Sequence, residues 1–593
     1  MISPNEKRRT FTNFRFWNWY WKINFIYNWL GGYPWCTNNS EAYRYGGLAI
    51  MITKILNKLS GHIKQFNKET NSDLKIILKG SVVFWLQQQA KENMPADLDV
   101  VLWSTSYETK LAFLQFLQTN EKIEIIKNDG NLFIFNLDSL TIEIILLEQL
   151  NLKFTTSSHW DGILLLKGKW LFTQKLLALP YIMSDYFPHD RDKKIRRTIE
   201  QLSKWKIVIN VSELFNNETL DFLKHCLWNS FFIFYKYNYT EMLIFDYGKK
   251  DFYKNLTKDS EIVKIIVKFY EFFAHDQKIQ RIVKIGEKIL KNKEFINNFL
   301  LNNYYIPSLP GTEVNFLNKV FGIEKKNFKG FHLKENNTKE KKLFISHSDE
   351  AGGLLVGNNV YNLGTHNWIS GEYDLYNLDG EYVKQVNGTA ITSEVYSKEY
   401  KSKIASKQLE IDYDNYDNQI LQVVSSQKPE FNDCYFITRN HDNRINALLL
   451  SLVEDSKISN LNYLITTREE VQLQSSKLKE VKDIICAKDY IYNLEVSKHQ
   501  NWDNENLLIR VADFYTGINP KMLQHISKIF NQYALPFQYY FGAGSTDQTE
   551  FQFENSMTIA IPANEIHSYS SKIFHKNIFY MLFAIGILNE EFS

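Results

Sequence analysis

Apolar residues recur every three or four positions from residue 48 to 63, the stripe of a helix with one buried face, and the run LKIILKG behind it reads as a strand. A second strand, LDVVLW, spans residues 98–103, and a helix is predicted around 110–118. LFIFNL and LTIEIILL, at 132–137 and 140–147, read as paired strands. Together they predict an α/β segment built on a short antiparallel or mixed sheet. Residues 170–206 are helical in pattern and basic, with the run RDKKIRR, and 212–303 are helical and rich in Phe, Tyr and Lys. IPSLPGTE, with two prolines and a glycine, marks a boundary at 306–313. Beyond it KKLFISH, ALLLSLVED, LNYLITT, DIICAK, LLIRVAD, PFQYYF and MTIAIP alternate between strand and helix up to a last helix over 570–588, the pattern of a covered, largely parallel or mixed sheet. A Gly-, Tyr- and Asn-rich stretch at 357–432 interrupts that alternation as a small β insertion.

The expected organisation is therefore an aromatic-rich segment (1–48), an α/β domain (49–210), a helical connector (211–303) and a larger α/β domain (304–593) carrying the insertion. The length, 593 residues, suits about three to four domains. A net charge of +2 excludes a broadly basic nucleic-acid coat. The four cysteines form no CxxC pair, so neither a zinc ribbon, a disulfide framework nor a disulfide-linked partner is expected. No run approaches the ~20 apolar residues of a membrane span, and Lys7, Arg8 and Arg9 lead into no apolar signal core. The chain reads as reduced and cytoplasmic, with no membrane partner. The Trp- and Tyr-rich stretch at 14–35 reads as a piece packed on the next domain, or as an interfacial or partner-binding segment, and carries no chemistry.

Candidate chemistry gathers where strands of the last domain are expected to end: His347 and Asp349 in ISHSDE, Asp442 in RNHDNR, Glu469 and Glu470 in TTREEV, Asp489 in CAKDY and His567 in NEIHS. In α/β sheets, sites form beyond the carboxyl ends of strands. Two histidines with several carboxylates can make a paired divalent-metal site with one carboxylate bridging. Adjacent Glu469 and Glu470 can face different ways, one binding metal and one remaining a base.

From about residue 307 to the C-terminus the chain resembles the deblocking or glutamyl aminopeptidases, the TET-type di-zinc metallopeptidases. PGTE, ISHSDEAGGLLV, HDNRINALLL, LITTREEVQL, LPFQYYFGAGSTDQTEF and IAIPANEIHSYS follow one another in that family's order. The resemblance implies an α/β/α zinc-peptidase sandwich with a small β-barrel-like insertion, and an aminopeptidase that hydrolyses N-terminal residues from peptides. It implies two zinc or cobalt ions: His347 and Glu470 on one, Asp489 and His567 on the other, and Asp442 bridging. Glu469 becomes the general base that acts on a metal-activated water, and Asp349 orients the His347 imidazole. The chain departs from the family pattern at Asn443, Gln472, Gln474, Asn564 and Glu565, positions that bear on substrate recognition. Homo-oligomers, dimers building toward tetrahedral dodecamers, are implied as well.

In the first α/β domain, Gly80-Ser81 follows a strand and Asp97-x-Asp99 opens the next. Alternation along a strand puts both carboxylates on one side. The arrangement resembles the polymerase-β-type nucleotidyltransferases, in which a Gly-Ser turn holds triphosphate and paired carboxylates bind magnesium. Glu143 in LTIEII stands as the third carboxylate. KWLFTQKLLAL and DRDKKIRR resemble the helical tail of the abortive-infection type, with Lys175 near the nucleotide. Three functions are thus open: a di-metal aminopeptidase, a nucleotidyltransferase modifying protein or RNA beside a regulatory or degenerate peptidase half, and a non-catalytic protein built from two enzyme folds. Glu469-dependent hydrolysis and Asp97-dependent nucleotide binding separate them.

Overall fold

The computed structural model describes residues 40–591 apart from 89–94, 96, 105, 129–131, 147, 149, 184–190, 237, 243–258, 337–340, 398–401, 414–418, 433, 513–518, 543–545 and 548–554. The aromatic stretch at 14–35 lies outside the described residues. The chain forms two compact units, Met1–Gln280 and Arg281–Ser593. The residues read as a helical connector divide between them. Helices Asn217–Lys236 and Ser260–Ala274 belong to the first unit and Lys293–Asn303 to the second, while Gln277–Lys291 carries the boundary.

The first unit is organised on a seven-stranded mixed sheet. Its strands are β1 (Lys75–Lys79), β2 (Asp97–Trp103), β3 (Glu124–Asn128), β4 (Leu132–Leu137), β5 (Leu140–Ile145), β6 (Thr155–Ser157) and β7 (Ile163–Leu166), in the order β3-β4-β5-β2-β1-β7-β6. Helix Ser40–Thr70 buries Ile52, Ile55, Leu56, Leu59, Ile63 and Phe66, one stripe at three- and four-residue spacing. Helix Tyr107–Asn120 starts where Ser106 accepts the Thr109 N–H at 3.2 Å, which satisfies one of the donors a first turn leaves open.

The second unit carries two sheets. The larger has ten strands among the described residues: β8 (His332–Lys334), β9 (Lys342–His347), β16 (Glu430–Phe431), β17 (Tyr435–Thr438), β18 (Tyr463–Thr466), β19 (Tyr490–Lys498), β20 (Leu507–Ala512), β21 (Phe537–Phe541), β22 (Ser556–Ala563) and β23 (Ser571–Phe574). Its centre, β18-β9-β19-β22, is parallel throughout. Buried on both faces, these strands read as near-continuous apolar runs. Helix Lys479–Cys486 sets Val481 and Ile485 on the sheet face of Leu343, Ile345, Leu464 and Ile491. The closing helix His575–Glu590 is buried from Lys576 to Asn589, and its Lys576 forms an ion pair with Glu505 that is enclosed on both sides.

The insertion is a six-stranded antiparallel sheet of β10 (Gly352–Val356), β11 (Asn359–Leu363), β12 (Gly371–Tyr376), β13 (Tyr382–Ser397), β14 (Ser402–Ile411) and β15 (Leu421–Ser425). Leu355, Trp368, Tyr373, Leu375, Val386, Leu409, Leu421 and Val423 form its core. The segment joining β22 to β23 is held against it. Asn367 N–H donates to the His567 carbonyl at 2.7 Å, Ser425 Oγ donates to the Tyr569 carbonyl at 2.6 Å, and the Tyr569 ring packs on that core.

Candidate metal centre

Five segments of the second unit converge at one end of its larger sheet. His347 is the last residue of β9, level with Thr466 at the end of β18. Glu469 and Glu470 lie just past β18, Asp442 follows β17, and His567 follows β22. Asp442 stands between the two imidazoles. Its Oδ1 lies 3.5 Å from His347 Nε2 and its Oδ2 3.1 Å from His567 Nε2. His347 Nε2 also faces Glu495 Oε1 at 3.4 Å, and His567 Nε2 faces Glu470 Oε2 at 3.1 Å. Two groups result, His347–Asp442–Glu495 and Asp442–Glu470–His567, each with ligand atoms within 4.8 Å of one another and sharing Asp442.

This pairing differs from the one expected in two respects. Asp489 stands outside the cluster. DIICAK is the helix Lys479–Cys486 rather than a strand, so Asp489 precedes β19 at the end of the sheet away from His347. There it is half exposed and paired with Lys341 at 3.0 Å. Glu495, inside β19 and two residues past the Asn493–Ile345 register pair, is level with His347 and takes the place expected for Asp489. The partners are also exchanged: His347 groups with Glu495, and His567 with Glu470.

Asp349 Oδ1 lies 3.4 Å from His347 Nδ1, so that Nε2 is the ring atom turned to the cluster. Its other oxygen accepts the Glu470 N–H at 3.0 Å and so ties the two loops. Glu469 belongs to neither group; its Oε2 is 4.0 Å from His347 Nε2. Reading of the sequence missed three supporting side chains. Asn440 Oδ1 accepts the N–H groups of Asp442 (3.1 Å) and His567 (3.3 Å). Asn443, one of the departures noted above, donates through Nδ2 to the Leu494 carbonyl and to Glu495 Oε2 (3.2 Å). Asp547, in the quoted GSTDQ run, accepts from Thr466 Oγ1 and from Ser476 Oγ (2.9 Å). The only sequence signals for these were their places in the quoted motifs. Glu565, another departure, is paired with Lys498 at 2.6 Å.

Carboxylates outnumber imidazoles here, and their protonation reflects it. Burial raises Asp442, but His347 and His567 pull it down to about 2. Burial lifts Glu495 to about 7 and Glu469 well above the carboxylate range. Burial lowers both histidines, yet Glu495 for His347 and Glu470 for His567 lead the groups that hold them well above the usual value. A pocket that holds protons this firmly has the charge to hold dications. Asp442 Oδ1 and Glu470 Oε1 are buried and accept no hydrogen bond, a state buried oxygens rarely keep without another partner. Imidazole nitrogens and carboxylate oxygens around a shared carboxylate are a donor set that fits two ions such as zinc or cobalt.

In the first unit, Lys79, Asp99 and Glu143 are register neighbours on β1, β2 and β5 and so share one face, with Asp97 two residues from Asp99. Gly80 has φ +73°, and a Cβ there would lie 2.0 Å from Asp99 Oδ2; only glycine lets the turn before Ser81 approach that carboxylate. Burial, then Asp99, raise Asp97 to about 7 against the pull of Lys175, Arg197 and Lys194. Burial, then Asp99, raise Glu143 to about 8, with Lys79 opposing. These carboxylates are not among the groups of three close enough to share an ion, which among the described residues lie in the second unit.

Among the described residues no helix is long and apolar enough to cross a membrane. Residues 416–579 match the model of the M42 glutamyl aminopeptidase family. No curated protein sequence matches the chain. Among solved structures, the TET aminopeptidase of the marine-sediment archaeon Thaumarchaeota archaeon SCGC AB-539-E09 is 16% identical over 51% of this chain and 98% of its own, with a TM-score of 0.41. The TET1 peptidase of Pyrococcus horikoshii, described as assembling into a tetrahedron or a large octahedral shell, is 17% identical over 50% and 99%, at 0.39. An aminopeptidase of Desulfurococcus kamchatkensis is 14% identical over 52% and 95%, at 0.41.

Proposed function

We propose that the second unit is a metal-dependent aminopeptidase that removes N-terminal residues from peptides. One observation carries this reading: a single buried carboxylate, Asp442, turns one oxygen to each of two histidines, while Glu469, 4.0 Å from His347 Nε2, belongs to neither metal group. The match of residues 416–579 to the M42 glutamyl aminopeptidase model supports it. His347, Asp442 and Glu495 would hold one divalent metal, and Asp442, Glu470 and His567 the other. Such ions, when bound, lower the pKa of water and polarise a carbonyl. Glu469 takes the proton of the attacking water and passes it to the leaving amine. Asp349 fixes the His347 ring, and Asn443 fixes Glu495. The homo-oligomer implied by the resemblance belongs to the same proposal and is read by light scattering.

Cleavage of a panel of L-aminoacyl p-nitroanilides with added zinc or cobalt, beside elemental analysis, tests the assignment. Glu469→Gln is expected to keep two metals per chain and to lose hydrolysis by about 10²–10⁴-fold; a variant that still cleaves at the parent rate sinks the role given to Glu469.

A second reading concerns the first unit. The row Lys79–Asp99–Glu143, the tight Gly80–Asp99 approach and Lys175 beside Asp97 and Asp99 favour a nucleoside triphosphate held with magnesium. Magnesium–ATP binding that is lost in Asp97→Ala is the expected result, and equal binding by parent and variant removes the reading.

A further inference from the structure

The loop that carries Glu469 and Glu470 leaves β18 at Thr466 and returns at the turn Ser475–Lys477. Its backbone is strained at two places. Arg468 and Gln472 hold positive φ, +61° and +57°, a region that residues other than glycine avoid and that persists only where the surroundings over-determine it. Within the loop, Gln472 N–H donates to the Glu469 carbonyl at 2.9 Å and Leu473 N–H to the Arg468 carbonyl at 3.1 Å. These bonds shape the tip without tying it to the rest of the unit.

The neck of the loop is closed by a reciprocal pair. Ser475 N–H donates to the Thr467 carbonyl at 3.0 Å, and Thr467 N–H donates to Ser475 Oγ at 3.0 Å. One residue outside that pair, on either side, stands a buried hydroxyl, Thr466 and Ser476. Both donate to one carboxylate: Thr466 Oγ1 to Asp547 Oδ2, and Ser476 Oγ to Asp547 Oδ1 at 2.9 Å. The other acceptor within reach of Thr466 Oγ1, the Ser346 carbonyl, is at 3.4 Å. Asp547 is 2% exposed and belongs to neither metal group. A carboxylate closed off from water is costly to keep unless it is hydrogen-bonded. Here two of the bonds that compensate it join the outgoing and returning ends of the loop.

We propose that Asp547 is a positioning residue that clasps the ends of this loop and so fixes where Glu469 stands relative to the two metal groups. The inference rests on the aminopeptidase reading, in which Glu469 is the base. Asp547 acts through the loop, so its loss falls on the chemical step: a group misplaced by about 1 Å can cost a large factor in rate.

Asp547→Ala, Asp547→Asn and Thr466→Val are compared with the parent on an L-aminoacyl p-nitroanilide at saturating zinc. Asp547→Ala is expected to lose about 10–10²-fold in kcat with KM unchanged. Asp547→Asn keeps an oxygen for one hydroxyl and offers its amide to the other, and is expected to regain most of that loss. Thr466→Val added to Asp547→Ala is expected to cost nothing further, as for two groups that act through one contact. Additive losses overturn the clasp, and so does a raised KM at the parent's kcat. Amide hydrogen exchange reads the same contact without substrate. In Asp547→Ala the amides of residues 467–475 are expected to exchange about tenfold faster, while those of helix Arg444–Asp455 keep the parent's rate. That result holds even if no panel member is cleaved, an outcome that removes the aminopeptidase reading and leaves the clasp. Parent-like exchange in the loop, or equal acceleration in the helix, overturns the proposal.

Discussion

A carboxylate just before a parallel strand and another six residues further along it sit at opposite ends of the sheet, roughly 20 Å apart at the rise of a strand. That places Asp489 on the surface with Lys341 and Glu495 against His347. Metal analysis should follow the same division. Asp489→Ala is expected to retain two ions, and Glu495→Ala to retain one; a full complement in Glu495→Ala contradicts its assignment as a ligand. Asp442→Ala is expected to retain neither, because the one carboxylate serves both histidines. His347, Asp442, Glu470 and His567 could be picked out because they stand at or near expected strand ends, in motifs that follow one another in the family's order. Glu495 could not. YIYNLEVSK does not stand out in the sequence, Glu495 is one of several polar residues in it, and only the register against β9 shows where it lands.

Among the elements, the long amphipathic helix and the basic helical stretch of the first unit were legible from their 3.6 period, and its paired strands from their short apolar runs. DIICAK was not. Its apolar residues fit a short strand as well as the exposed-faced helix it forms, and the ambiguity of short apolar runs misplaced the acid behind it. Two predictions belong at this scale. Gly80→Ala puts a side chain at positive φ into the Asp99 carboxylate and is expected to cost the first unit about 1–3 kcal/mol, measured by urea denaturation; parent-like stability would falsify the close approach. Glu505→Ala leaves Lys576 charged and enclosed at the start of the last helix and is expected to cost about 3–5 kcal/mol, with unchanged stability showing that the pair is not closed off from water.

At the scale of the whole chain there are two compact units, Met1–Gln280 and Arg281–Ser593. The division between them falls inside the helix Gln277–Lys291. Asp276 begins that helix, its Oδ1 accepting the Ile279 N–H at 2.8 Å. A fragment of residues 276–593 keeps this cap and is expected to fold with a helical circular dichroism spectrum and to take up two metals per chain. A fragment that is unfolded or metal-free shows that the second unit is not self-sufficient.

The tie between Asn367 and His567, and that between Ser425 and Tyr569, have a consequence for how such a molecule can change. Among the described residues the insertion contributes none to either metal group, yet it fixes the backbone on which one of the histidines is mounted. It cannot be exchanged like a cassette. A replacement of equal size that lacked those anchors would leave every ligand in the sequence and the angle of one of them undetermined. Loop grafting into this region would thus fail by misalignment of His567, without any loss of ligands.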